Sequence, residues 1–314
     1  MCLEFFSKHN LKRESQDKTK FPSKKIKHFI EYVFFKFFIK TMKIIGFRNS
    51  VAFCGYAARF LGPYMGVTKI AERNLDKVFG GEFDTKKIIP QIWDNFGKYI
   101  GEFPFINELS DQEMKSMFTM EGIENVRSYQ QAKKPFLLFL AHQANWDFVI
   151  RHITDIYPKF AIIYRKANNS YVDREILRTR SKNPNVLMIA KGPTGAKGLV
   201  RAIKNGYSIA MLVDQKMNDG IEVPFFGRPA MTANAIAKLS LQYNYPIIPC
   251  QLIRIKESNF KAILHPEIKY QPTGSKENDV YNIMLLINQT LEKWIKENPS
   301  QWFWFHNRWE KIKI

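Results

Sequence analysis

The chain has 314 residues, 45% of them hydrophobic and 14% aromatic, which is enough for a sizeable core and too apolar for intrinsic disorder. Its three cysteines, Cys2, Cys54 and Cys250, are widely spaced with no C-x-x-C pair, which argues against a disulfide framework or zinc site and fits a reducing compartment. A net charge of +19, from 48 Lys plus Arg against 29 Asp plus Glu, predicts attraction to anionic surfaces without choosing among nucleic acid, lipid headgroups, phosphorylated substrates and acidic proteins.

Residues 1–25 read as a basic tail, with Lys8, Lys12, Arg13, Lys18 and Lys20 and no apolar stretch of the signal-peptide kind. From Ile26 to Ile45 the chain is dense in Phe and Ile but interrupted by Lys27, Glu31, Lys36, Lys40 and Lys43. A spanning helix needs about 18 or more apolar residues with few charges. Lys36, Lys40 and Lys43 instead recur on one helical face, so a basic amphipathic helix lying in a membrane interface is expected. Phe34, Phe35, Phe37 and Phe38 would then wrap most of the remaining circumference. Residues 26–62 are read as a membrane-associating helical segment attached to a catalytic domain over 63–314. Deleting residues 1–45 should leave that domain folded.

Helical and loop-rich patterns run from Phe47 to Glu108, and an S-x-x-E capping box at Ser110 and Glu113 opens a short helix. From Pro135 onward apolar runs alternate with helical ones. Strands are predicted at 135–141, 159–165, 186–190, 207–214 and 246–255, with 260–268 returning antiparallel. Helices are predicted at 144–153, 169–182, 195–205 and 232–243, and VPFFGRPA (223–230) lies in a long loop. Near-continuous apolar strands separated by helices predict an α/β fold with a mostly parallel central sheet flanked by helices.

Ligands on such sheets bind beyond the carboxyl ends of the strands. His142 follows the first strand, and Asp147 falls in the first turn of the next helix. On one continuous helix residues five apart diverge by about 140°. With His142 in the turn, Asp147 can reach back, hold one ring nitrogen as a donor and leave the other to accept a proton. A core histidine satisfied by a helix-capping carboxylate has the same spacing. Arg165, Lys191 and the pair Asp214-Gln215 end three further strands, and one shared site explains four such positions best. GPTGAKG (192–198) lacks the spacing of a phosphate loop, His142 and His152 do not form H-E-x-x-H, and no G-x-S-x-G occurs. No cofactor or metal is expected.

Several segments together resemble the lipid A biosynthesis acyltransferases: AERNLDKVF (71–79), IWDNFGKYIGEFP (92–104), HQANWD (142–147), IIYRKANN (162–169), GYSIAMLVDQ (206–215), VPFFGRPAMT (223–232), YPIIPC (245–250) and PSQWFWFHNRW (299–309). The resemblance runs in order from about Tyr32 to Trp309 and shares the H-x4-D motif with glycerolphosphate acyltransferases. It implies a glycerolphosphate-acyltransferase-like fold and transfer of an acyl chain from acyl carrier protein to a hydroxyl of a lipid A precursor of the Kdo2-lipid IVA type. That places the enzyme on the cytoplasmic face of the inner membrane, against an anionic lipid surface, with no nucleic acid partner. His142 would be the base, Asp147 would orient it, and Arg165 would bind phosphate or steady the oxyanion. Asn145, Lys191, Asp214, Gln215 and Arg308 would contact substrate. The same chemistry would serve another glycolipid or lysophospholipid acceptor, or a thioesterase. A non-catalytic basic membrane or nucleic-acid-binding protein is the reading from another class.

Overall fold

A computed structural model of the chain describes residues 24–157, 159–181 and 186–309. Most of the basic tail lies outside the described residues. Four helices come first: α1 (Lys24–Ile45), α2 (Phe47–Leu61), α3 (Thr68–Phe79) and α4 (Thr85–Glu102). Short α5 (Asp111–Ser116) starts at the expected capping box, with Ser110 Oγ accepting from Glu113 N at 3.2 Å and Glu113 Oε2 accepting from Ser110 N at 2.7 Å. The alternating part follows as β1 (Phe118–Glu121), α6 (Glu124–Gln131), β2 (Leu137–Leu140), α7 (Trp146–Ile156), β3 (Phe160–Tyr164), α8 (Ser170–Arg180), β4 (Val186–Ala190), α9 (Pro193–Lys204) and β5 (Ser208–Leu212). Then come β6 (Lys216–Phe225), β7 (Arg228–Thr232), α10 (Ala235–Tyr243), β8 (Ile247–Lys256), β9 (Asn259–Leu264) and α11 (Lys276–Glu297).

The central sheet has seven strands in the order β1-β9-β8-β2-β5-β3-β4. Every pairing is parallel except β8 with β9, as the apolar patterning predicts. Both faces are covered. Leu137, Phe139, Ile209, Met211 and Ile247 enter one core with α4 and α11, while Leu138, Leu140, Ala210 and Ile248 enter another with α7 and α8. That is the two-residue alternation of a strand, written here in apolar residues on both sides.

Three features depart from expectation. VPFFGRPA is no loop: it is the turn and flanks of an antiparallel hairpin, β6–β7, pairing Phe225 with Arg228. Both turn residues, Phe226 (φ 52°) and Gly227 (φ 67°), are left-handed, as a two-residue hairpin turn demands. A phenylalanine there carries no turn signal, and packing against Phe225, Phe79 and Trp309 holds it. Strand β1 was not foreseen; its pairing with β9 supplies the edge of the sheet.

Helix α1 is also less detached than its pattern suggested. Tyr32, Phe35, Phe38, Ile39 and Ile45 pack on the second core and Met42 is buried there. Lys36 and Lys43 reach Glu175 and Glu108 at 3.5 and 2.6 Å, and Asn169 Nδ2 donates to His28 O at 2.7 Å. The opposite side leaves Phe29, Ile30, Val33, Phe34 and Phe37 in solvent. Deleting residues 1–45 would therefore strip a face of the core. No described helix is long and apolar enough to cross a membrane.

Candidate active site

Strand register assembles the site. The pairing of β2 with β5 ends at Leu140 opposite Leu212, so two residues further on His142 and Asp214 come level. In the same way Tyr164 opposite Ala190 brings Arg165 level with Lys191. All four lie at the carboxyl edge of the sheet.

His142 sits in the turn between β2 and α7. Its Nδ1 is 2.7 Å from Asp214 Oδ1, and its backbone N–H donates to Asp214 Oδ2 at 2.8 Å. Trp302 Nε1 donates to the same Oδ2 at 2.7 Å. Burial alone would raise the Asp214 carboxyl, but its electrostatic interaction and hydrogen bonds with His142, with His306 nearby, hold it well below the usual carboxylate range. An ionised Asp214 fixes the proton of a neutral His142 on Nδ1 and leaves Nε2 as the acceptor. The ring sits edge-on to Trp146, with centroids 5.0 Å apart. Beside it a narrow crevice is lined by Ile92, Phe96, Trp146, Phe303 and Phe305 among others.

Asp147 does not hold the imidazole. Its Oδ2 accepts from Tyr99 at 2.9 Å and Arg180 Nη2 at 2.9 Å, and its Oδ1 pairs with Arg180 Nε at 2.9 Å. Asp147 belongs to α7 and faces α4 and α8, whereas Asp214 is carried to His142 by the sheet. Burial and the Asp147 charge push the Tyr99 phenol well above its ordinary value, keeping it a donor.

Two more expected contacts turn inward. Asn145 is fully buried as the cap of α7, accepting from Asp147 N and Phe148 N at 3.1 and 3.0 Å, while its Nδ2 donates to Glu102 at 2.7 Å. Arg308 is fully buried too, donating to Met231 O and Thr232 Oγ1 at 3.0 and 2.9 Å and lying over the Phe225 ring. It braces the β6–β7 hairpin; burial lowers its guanidinium to about 10, with Asp214 opposing. Arg165 and Lys191 are exposed. Although the Lys191 side chain is exposed, crowding around its amine draws it below its ordinary range, with Asp214 opposing and Arg165 adding to the effect, so the two cations share one field. Gln215, next to Asp214, has its Nε2 buried without a hydrogen-bond partner among the described residues.

Sequence reasoning missed Tyr99, Arg180, Glu102, Arg254, Trp302 and His306. Glu102 lies under Asn145, its carboxylate gripped by Arg254 and by Ser258 Oγ at 2.6 Å. His306, half-buried near Asp214, is lowered to about 4, chiefly by burial. Their side-chain partners at the site come from distant segments of the chain, so no local spacing could have found them. Among the described residues no group of three or more His, Cys, Asp or Glu is placed to hold a metal.

A histidine backed through Nδ1 by a buried carboxylate, at the carboxyl edge of an α/β sheet, is equipped to deprotonate a hydroxyl or water. Sequence comparison is specific: the bacterial lipid A biosynthesis acyltransferase family matches residues 19–311, and the chain belongs to that family. It is 24% identical over 247 residues to the lipid A biosynthesis palmitoleoyltransferase of Escherichia coli (strain K12), covering 77% of this chain and 78% of that protein. The Shigella flexneri lipid A biosynthesis acyltransferase matches to the same extent. The lipid A biosynthesis lauroyltransferase of Escherichia coli (strain K12) is 22% identical over 265 residues, or 82% of this chain and 83% of that protein. The chain is accordingly an acyltransferase of lipid A biosynthesis.

Proposed function

We propose that the chain moves a fatty acyl group from an acyl carrier protein thioester to a hydroxyl of a lipid A precursor of the Kdo2-lipid IVA type, with His142 as general base. The observation that carries this reading is the 2.7 Å contact between His142 Nδ1 and Asp214. With the Nδ1 proton donated to Asp214, Nε2 takes the acceptor hydroxyl's proton as its oxygen attacks the thioester carbonyl. The tetrahedral oxyanion then collapses, the C–S bond breaks, and the imidazolium returns the proton to the leaving thiolate.

Arg165 and Lys191, exposed at neighbouring strand ends, face phosphate groups of the substrates or the developing oxyanion. Gln215 contributes its unspent donor nearby. Asp147, with Arg180 and Tyr99, steadies α7 behind the base, while Asn145 and Arg308 support rather than touch substrate. A covalent acyl-cysteine is not needed: Cys250 is buried and burial pushes its thiol up to about 12, so it stays protonated. Anionic substrates and an anionic membrane on the cytoplasmic side account for the +19 charge.

The test is product mass after incubation with acyl carrier protein thioesters of several lengths and a Kdo-bearing tetraacyl precursor. A gain of one acyl group is expected with the wild type, and His142→Ala should lower kcat by at least about 100-fold. Release of free fatty acid without acylated acceptor would point to hydrolysis. No gain with any donor, from folded protein, would move the acceptor to another lipid.

A further inference from the structure

We propose that Trp302 is a positioning residue for the His142–Asp214 pair, locking the carboxylate through its indole N–H while its own backbone segment is pinned to the His142 turn. The proposal rests on the reading of His142 as base.

Asp214 divides its oxygens between two tasks. Oδ2 accepts two rigid donors, His142 N at 2.8 Å and Trp302 Nε1 at 2.7 Å. Oδ1 is left to face the imidazole. Two donors on one oxygen resist rotation of the carboxylate, so Oδ1 stays aimed at Nδ1. The segment carrying the indole also grips the base from the other side. Ala144 N donates to Gln301 O at 3.0 Å and Phe303 N donates to His142 O at 2.9 Å, with Gln143 and Trp302 bridged antiparallel. Gln301 is itself clasped, since Arg254 N donates to its Oε1 at 2.7 Å and its Nε2 donates to Arg254 O at 2.9 Å. One three-residue stretch thus sets both members of a pair that come from different strands.

Trp304 supplies the internal comparison. It is equally buried, but its indole donates to Pro299 O at 2.6 Å and touches neither member of the pair. The other charged or titratable groups acting on Asp214 are His306 and Arg308 from the C-terminal segment and Lys191 after β4. None of them is removed by changing either tryptophan.

Without the indole donor the Asp214 charge is less dispersed and holds an imidazolium more tightly, so a neutral base is recovered only at higher pH. Trp302→Phe is expected to lower kcat about 10-fold with little change in KM, and to move the acid limb of the kcat profile to higher pH. Trp304→Phe should lower the melting temperature without moving that limb. An unmoved limb in Trp302→Phe, or equal movement in both variants, would overturn the proposal. Should Trp302→Phe fail to fold, the indole N–H resonance of Trp302 decides. Asp214→Asn should displace it more than the Trp304 resonance, and a Trp302 resonance that stays in place would be decisive against the proposal. A wild type that transfers no acyl group would remove both the base assignment and this inference; an active wild type with an unaltered Trp302→Phe removes the inference alone.

Discussion

Asp214 and Asp147 are both buried carboxylates, and their surroundings separate their tasks. Asp214 takes its hydrogen bonds from His142 and Trp302 and is kept ionised against a burial that would neutralise it. Asp147 is saturated by Tyr99 and Arg180, which join α7 to α4 and α8. The two isosteric amide substitutions should therefore fail differently. Asp214→Asn is expected to lower kcat by about 10²–10⁴-fold, because the amide can no longer enforce the Nδ1–H tautomer. Asp147→Asn should lower stability by about 3 kcal/mol, by leaving the largely buried Arg180 without its counter-charge, and kcat should suffer less. Melting curves and steady-state rates on the same preparations check this. The opposite ranking would return the orienting role to Asp147.

Among the helices, the contact between α2 and α4 depends on the absence of side chains. A Cβ on Gly97 would lie 2.2 Å from the Cys54 carbonyl oxygen, and one on Gly101 would lie 2.6 Å from that of Ser50. The two glycines are one helical turn apart, so they form a groove into which α2 settles. Glu102, Tyr99 and Asn95 on the same α4 reach the site, so a displaced helix disturbs the α7 cap and the Gln301 clasp as well. Gly97→Leu should destabilise the protein by about 2–3 kcal/mol, read as a lowered melting temperature, whereas Gly66→Ala, with open space around it, should not.

At the scale of the whole molecule, charge and apolar exposure converge on the N-terminal side. The outer face of α1 (Phe29, Ile30, Val33, Phe34, Phe37) continues in Phe53, Tyr56 and Phe60 on α2. Lysines and arginines intersperse these rings: Lys40, Arg48 and Arg59 are exposed or partly so. A surface of this kind suits an anionic bilayer. The double variant Phe34→Ser/Phe37→Ser should bind vesicles containing acidic phospholipid at least about 10-fold more weakly at constant salt, with its melting temperature unchanged. Unchanged binding would show that this face does not contact the bilayer. Point substitutions are the proper test, because deletion of α1 also removes Met42 and its neighbours from the core.

Apolar patterning and residue spacing reveal the class of fold, the parallel sheet, the capping box and the strand ends at which chemistry gathers. These are local or periodic properties: apolar runs of strand length, helical spacing, and polar residues placed just after each run. His142, Asp214, Arg165 and Lys191 were all legible in that way. Partnership was not. The spacing of five between His142 and Asp147 suggested a contact, yet parallel register across β2 and β5 carried Asp214 to the imidazole from 72 residues away. Likewise Asn145 and Arg308 carried the polar character of ligand-binding groups and were turned inward by their caps and hairpin carbonyls. The hairpin at Phe226-Gly227 and the docked face of α1 depended on aromatic packing between distant segments. Which polar groups meet is set by strand register and helix packing over long separations, and only the tertiary structure decides it.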